Sequence, residues 1–321
     1  MADTLMLWPD IKEDIPSTIK KRYNDIVEVR NLYRKTRIVG RVFRKLLAHR
    51  HKSTAFFFDS WVKMVDQFDM VIIHANEINQ NVPDMLRKKG YKGRIIYWYW
   101  NPVCNCVSPD RINRDCCELW SFSADDCKAY NMSYNSTYYF EEPYEYVMEM
   151  EKTDGNASLM DTPQDETEID IFFVGADKGR YDCLEQLKEN AAKAGLKTEF
   201  KVIRDATSSS EGEYSPRIDY NEVVELTKKS RAVLEILQKG QTGVSLRSME
   251  AIFFGKKLIT NNLKIQNEKF YDEEAILLLD GREKEENFPQ LLYRFVRENA
   301  RMIDREYINY YDFKNWLKRF R

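Results

Sequence analysis

Two hydrophobic rhythms alternate along the chain. Short continuous apolar runs of strand length recur at 4–8, 25–29, 69–76, 94–102, 118–122 and 137–140, and again at 169–175, 198–203, 232–237, 257–262 and 275–279. Between them apolar residues fall at helical spacing, over 11–23, 34–52, 85–89, 124–130, 183–194, 220–229 and 246–253. Gly90, Gly195 and Gly255 stand where three of these helices should stop. A last helical stripe runs through Phe288, Leu291, Leu292, Phe295, Val296, Met302 and Ile303. Strands alternating with helices predict parallel βαβ units and an α/β fold.

The alternation breaks once. Between 149 and 168 seven acids face only Lys152, and Gly, Asn, Ser, Thr and Pro fill the gaps. This composition reads as a linker or insertion. The expected division is 1–148, a first Rossmann-like domain; 149–168, the acidic linker; 169–285, a second Rossmann-like domain; and 286–321, a C-terminal helical segment with an amphipathic helix.

Composition narrows the class. The 321 residues are 43% hydrophobic and 32% charged, enough for about two soluble domains. A net charge of -2 argues against a nucleic-acid partner. No run approaches the ~20 apolar residues of a membrane span, and the polar start has no secretory pattern, so a cytoplasmic protein is expected. The six cysteines include no C-x2-C pair and have no histidine beside them. Free thiols are therefore expected and no metal site is.

One stretch departs from neutrality. No acid occurs between Arg30 and Asp59, and 34–52 holds a dense set of Arg and Lys. Val39, Val42, Phe43, Leu46 and Leu47 share one helical face, and Arg37, Arg41 and Arg44 another. The stripe either packs on the domain core or belongs to a basic amphipathic surface that meets anionic lipid.

The candidate chemistry centres on 240–255. This segment has the order loop, short helix, and it lies between two strands. Gly243 would let a ligand approach the backbone, and Ser245 is a good N-cap. The helix start would then offer N–H groups to an anion. Arg247 adds a forked donor suited to phosphate, and Glu250 a carboxylate for hydroxyls. A second glycine-bearing strand end, Gly175, is followed by Lys178 and Arg180. In parallel sheets ligands bind beyond the C-terminal strand ends, so the two loops predict one shared anion site.

These segments resemble the GT-B-fold glycosyltransferases of bacterial lipopolysaccharide and capsule biosynthesis. The resemblance is carried by Gly175 with Lys178 and Arg180, by Glu250-Ala251 with Gly255, and less specifically by Asn101-Pro102 and Trp120-Ser121-Phe122. It implies two Rossmann-like domains facing across a cleft, the first for the acceptor and the second for a nucleotide-sugar donor. Gly175, Lys178, Arg180, Gly243, Ser245 and Arg247 would hold the donor, and Glu250 would bind its ribose. Many retaining members carry a further glutamate eight positions before that one. Here Thr242 stands there, which leaves the stereochemical course open.

An inverting reaction needs a base near the acceptor hydroxyl. His74, at the end of an apolar run, is one candidate, and Asp125 and Asp126 are its rivals. The resulting expectation is a metal-independent hexosyltransferase with no cofactor. It would move sugar from a nucleotide-sugar, a UDP-sugar, to a surface-glycan or lipid-linked acceptor, as a cytoplasmic protein peripheral on the inner face of the plasma membrane. The alternatives are a GT-B-like nucleotide-sugar epimerase and a non-catalytic partner subunit.

Overall fold

The computed structural model describes residues 2–9, 14–50, 52–140, 143, 169–298 and 303–321. The expected linker at 149–168 and Met302 of the last stripe lie outside the described residues. Contacts divide the chain into two units, Met1–Asn135 with Phe320 and Ser136–Arg319 with Arg321.

The first unit is a six-stranded sheet in the order β2-β1-β3-β4-β5-β6. The strands are β1 Thr4–Trp8, β2 Val27–Asn31, β3 Met70–His74, β4 Arg94–Tyr99, β5 Glu118–Ser121 and β6 Ser133–Tyr134, and every neighbouring pair is parallel. β1 and β3 are buried at every position. Their unbroken apolar runs have no polar face to offer water, so both sheet faces must be covered. Helices α1 Asp14–Arg22, α2 Ile38–His49, α3 Val82–Lys88 and α4 Ala124–Tyr130 belong to this unit. Leu5, Leu7, Val71, Ile73, Tyr97 and Trp61 form part of its core.

The second unit is a five-stranded sheet in the order β11-β10-β9-β7-β8. Its strands are β7 Ile169–Ala176, β8 Thr198–Ile203, β9 Ser230–Glu235, β10 Lys257–Thr260 and β11 Ile276–Leu278, again all parallel. Its helices are α5 Tyr181–Lys193, α6 Tyr220–Lys228, α7 Leu246–Phe253, α8 Phe288–Arg297, α9 Arg305–Tyr311 and α10 Phe313–Lys318. α7 stops as its sequence predicts. Gly255 takes φ 60°, the left-handed turn after the last helical residues. α8 buries Phe288, Leu292, Phe295 and Val296 against the strands, as its stripe requires. The α/β class, the two Rossmann-like sheets and the C-terminal helices are as expected.

One expectation changes, and one open alternative is decided. The strand expected at 137–140 is a single bridge between Tyr139 and Asp312. That run is apolar because its rings pack within the second unit: Tyr138 on Trp316 at 4.3 Å and Tyr139 on Phe253 at 5.2 Å. Of the α2 stripe only Leu47 packs on the core. Ile38, Val39, Val42, Phe43 and Leu46 are exposed by 46% to 79%, while Ala48 is buried. Arg44, on the face opposite the stripe, lies over the Tyr33 ring at 4.2 Å and takes the inward position. No helix of the described residues is long and apolar enough to cross a membrane.

Each sheet has one switch point, where consecutive connections leave in opposite directions. In the first unit it lies between β1 and β3, and in the second between β7 and β9. The crevice beyond the strand C-termini at such a point is where open parallel sheets accept ligands.

Candidate active site

In the second unit the switch point gathers both predicted loops. β7 ends at Ala176, and Asp177 follows, buried. Asp177 accepts the Arg180 and Tyr181 N–H groups at 3.0 and 3.1 Å, which starts α5, and the Tyr214 hydroxyl at 3.0 Å. Burial pushes its carboxyl up, but Ser208, Tyr214 and those N–H groups outweigh it and hold the group below the ordinary carboxylate range. The turn needs two left-handed residues, Lys178 at φ 52° and Gly179 at φ 73°. Asp205 holds the strained Lys178, accepting its N–H at 2.9 Å with the ammonium 3.9 Å away. Lys178 remains an exposed cation.

Arg180 does something different from the clamp expected of it. Its guanidinium donates to the carbonyls of Asp177 (3.0 Å), Ile236 and Ala176. It thereby ties the C-terminal ends of β7 and β9 together. Gly175 is small for this reason: a Cβ there would sit 3.0 Å from the Arg180 Nη2 and 3.2 Å from the Phe173 ring.

β9 is buried throughout and ends in Glu235. A carboxylate in an apolar strand must be fully hydrogen-bonded. Glu235 accepts the hydroxyls of Ser245, Ser248 (2.8 Å) and Thr260 (2.6 Å). Ser245 caps α7 as expected, accepting the Arg247 and Ser248 N–H groups at 3.0 and 3.4 Å. This corrects the reading of the helix start as a free anion cradle. Two of its N–H groups already serve Ser245, and the buried anion beside it is Glu235. Gly243 is buried, with its carbonyl accepting from Asn262 at 3.4 Å. The left-handed position of this loop is Gly240, at φ 83°.

Arg247 and Glu250 form an ion pair one helical turn apart. Glu250 is buried, and Arg247 is partly exposed. Burial pushes the Glu250 carboxyl up, while Arg247 and the Tyr220 hydroxyl pull it part of the way back. Its Oε1 makes no hydrogen bond. The site thus holds a partly exposed cation on a buried carboxylate with one oxygen unused. Chemically it can exchange Arg247 onto an incoming anion and offer Glu250 to hydroxyl groups.

In the first unit His74 ends β3 at the switch point. It is buried, its ring 3.8 Å from that of Trp8 and edge-on to Trp100 at 5.6 Å. Nδ1 lies 3.4 Å from the Leu7 carbonyl. A carbonyl only accepts, so Nδ1 carries the proton and the Nε2 lone pair has no partner. Burial pushes the imidazole down to about 3, against only a small lift from Leu7. His74 is therefore neutral near pH 7 and weakly basic, rather than poised near its ordinary value. Asp125 and Asp126 lie in the first turn of α4, capped by Ser123 at 3.2 Å. Asp126 accepts the Val103 N–H at 3.0 Å, and Asp125 is exposed.

Sequence reasoning missed Asp177, Asp205, Tyr214 and the Trp8–His74–Trp100 cluster. Asp177 alone left a local signal, an aspartate just ahead of a helix start. All six cysteines are free thiols.

No protein-family model and no curated sequence relative matches the chain. Solved structures do match its fold. The apo form of the lipopolysaccharide outer core galactosyltransferase WaaB superposes with TM-score 0.56 at 11% identity, over 100% of this chain and 98% of its own. A UDP-forming α,α-trehalose-phosphate synthase from Burkholderia vietnamiensis gives 0.54 at 9%, covering 100% and 96%. HepE of Anabaena in complex with UDP-glucose gives 0.52 at 10%, covering 98% and 97%. The chain shares the two-sheet GT-B fold of these glycosyltransferases.

Proposed function

We propose that the protein is a glycosyltransferase. It moves a hexose from a nucleotide-sugar, a UDP-sugar, to a saccharide acceptor that is lipid-linked or part of a surface glycan, at the cytoplasmic face of a membrane. The observation that carries this reading is the switch point of the second unit. There Arg180 ties the loop that carries Lys178 to the end of β9, and Ser245 and Ser248 fasten the start of α7, which carries the Arg247–Glu250 pair, to Glu235 at that same end, in a fold shared over its length with sugar transferases. In this reading Arg247 leaves Glu250 for the donor diphosphate, and the freed carboxylate takes the ribose hydroxyls. Lys178 and Arg247 neutralise the departing diphosphate, so charge is supplied by side chains rather than by a metal. Arg180 and Ser245 act behind them, holding the strand ends and the helix start. At the acceptor side the Nε2 lone pair of His74 meets no protein group, whereas Asp126 accepts the Val103 N–H. In this reading an acceptor hydroxyl reaches it when the Trp8 and Trp100 rings that cover it move aside.

Titration calorimetry with UDP tests the donor site. Lys178→Ala combined with Arg247→Ala should weaken binding at least about tenfold, one charge-assisted contact being worth that much or more. Unchanged affinity overturns the assignment. Turnover of UDP-sugar with no acceptor present would assign the fold to epimerisation instead.

A further inference from the structure

We propose that α2 is an interfacial anchor that lays the first unit on an anionic phospholipid bilayer. At 100° per residue, Ile38, Val39, Val42, Phe43 and Leu46 fall within an arc of about 140°. All five are exposed. The opposite arc does the packing. Ala48 is buried, Leu47 rests on the core, Arg44 stacks on Tyr33, and the Ala48 carbonyl accepts from Gln80 at 3.0 Å. The helix is therefore seated by its smaller face, and its apolar arc is turned outward. Phe56, 77% exposed, extends the arc. Its ring meets Phe57 at 5.5 Å, and Phe57 meets Phe43 at 6.2 Å.

Charge decides what covers this face. No acid occurs between Glu28 and Asp59, while Arg37, Arg41, Lys45, Arg50 and Lys52 are all exposed. A second copy docked by the same face would bring two such sets together with no carboxylate from this stretch to pair them. An anionic bilayer offers both complements at one depth, acyl chains for the arc and phosphates for the cations. Ile38, Val42, Phe43 and Phe56 enter the acyl boundary, and α2 lies in the plane of the membrane. The anchor is separate from the donor site, so its loss leaves UDP affinity unchanged.

Sedimentation of the full chain with vesicles tests this. Vesicles of phosphatidylglycerol and phosphatidylcholine should carry the protein down, phosphatidylcholine alone far less, and added salt should reverse the difference. Val42→Ser with Phe43→Ser should lower the partition at least about tenfold with melting temperature unchanged, since neither side chain is in the core. In the full-length Phe43→Trp variant, emission should shift to the blue on vesicle addition. Equal sedimentation of the wild type and the double serine variant overturns the proposal. So does a wild-type dimer in ultracentrifugation that the same variant turns into a monomer while vesicle binding is absent.

Discussion

Glu250 is buried and paired with Arg247, yet one of its oxygens makes no hydrogen bond. Removing Arg247 alone strands a buried carboxylate. A fully buried pair broken in this way costs about 3–5 kcal/mol. Arg247 is partly exposed, so about 2 kcal/mol is expected for Arg247→Ala. Arg247→Ala with Glu250→Gln should recover much of it, because the charge is gone. Urea unfolding measures both, and equal midpoints for the single and double variants would show that the pair carries no coupling. His74 makes a pH prediction. Its folded value, about 3, lies below its ordinary 6.5. Between those two values the unfolded chain binds the proton and the folded chain does not. Stability is therefore complete above about 6.5 and falls as pH drops towards 3, by about 1.4 kcal/mol per unit at most. His74→Phe, which keeps a ring between Trp8 and Trp100, should flatten that part of the stability–pH curve. An unchanged slope would place the acid sensitivity elsewhere.

At the scale of elements, the strands and helix ends were legible because their causes are local. β3 and β9 are continuous runs that only a doubly covered sheet can bury. The cap of α7 and its stop at Gly255 are written in adjacent residues. What was not legible depends on distant partners. Glu235 looked like an isolated charge in an apolar strand, since its donors stand 10, 13 and 25 residues away. Arg180 looked like a phosphate ligand until Ile236, 56 residues on, supplied a carbonyl. Helical periodicity shows that α2 has an apolar face but not which way that face turns; in the structure Arg44 on Tyr33, Leu47 and Ala48 take the packed side. The Glu235 cluster also predicts that Ser245→Ala costs more than a cap. Losing the cap is worth about 1 kcal/mol. Losing a hydroxyl donated to a buried carboxylate adds about 1.5–3 kcal/mol. A total near 3 kcal/mol in chemical unfolding is expected. Ser245→Thr should restore most of it, and a loss below about 1 kcal/mol would mean that Ser248 and Thr260 satisfy Glu235 unaided.

At the scale of the molecule, the two units have separate cores and separate sheets. Two-state unfolding is therefore not the expectation, and calorimetry should resolve more than one transition. The proposed donor residues lie wholly in the second unit, so a ligand held by them must stabilise that unit first. UDP at a hundred times its dissociation constant contributes about 2.7 kcal/mol. For a unit of this size that corresponds to a rise of roughly 5–10 °C in its transition. The first unit's transition should stay where it was unless an acceptor saccharide is added. Lys178→Ala with Arg247→Ala should abolish the UDP-dependent rise while leaving both ligand-free transitions resolved. A rise confined to the first unit would move the nucleotide to the switch point beside His74 and reverse the roles given to the two sheets. A panel of nucleotide-sugars run the same way also separates the remaining readings of the chemistry. A sugar-dependent rise with turnover only in the presence of an acceptor supports transfer. The same rise with turnover in its absence supports epimerisation. A rise with no turnover under any acceptor leaves a nucleotide-binding partner subunit, in which the unused oxygen of Glu250 serves recognition alone.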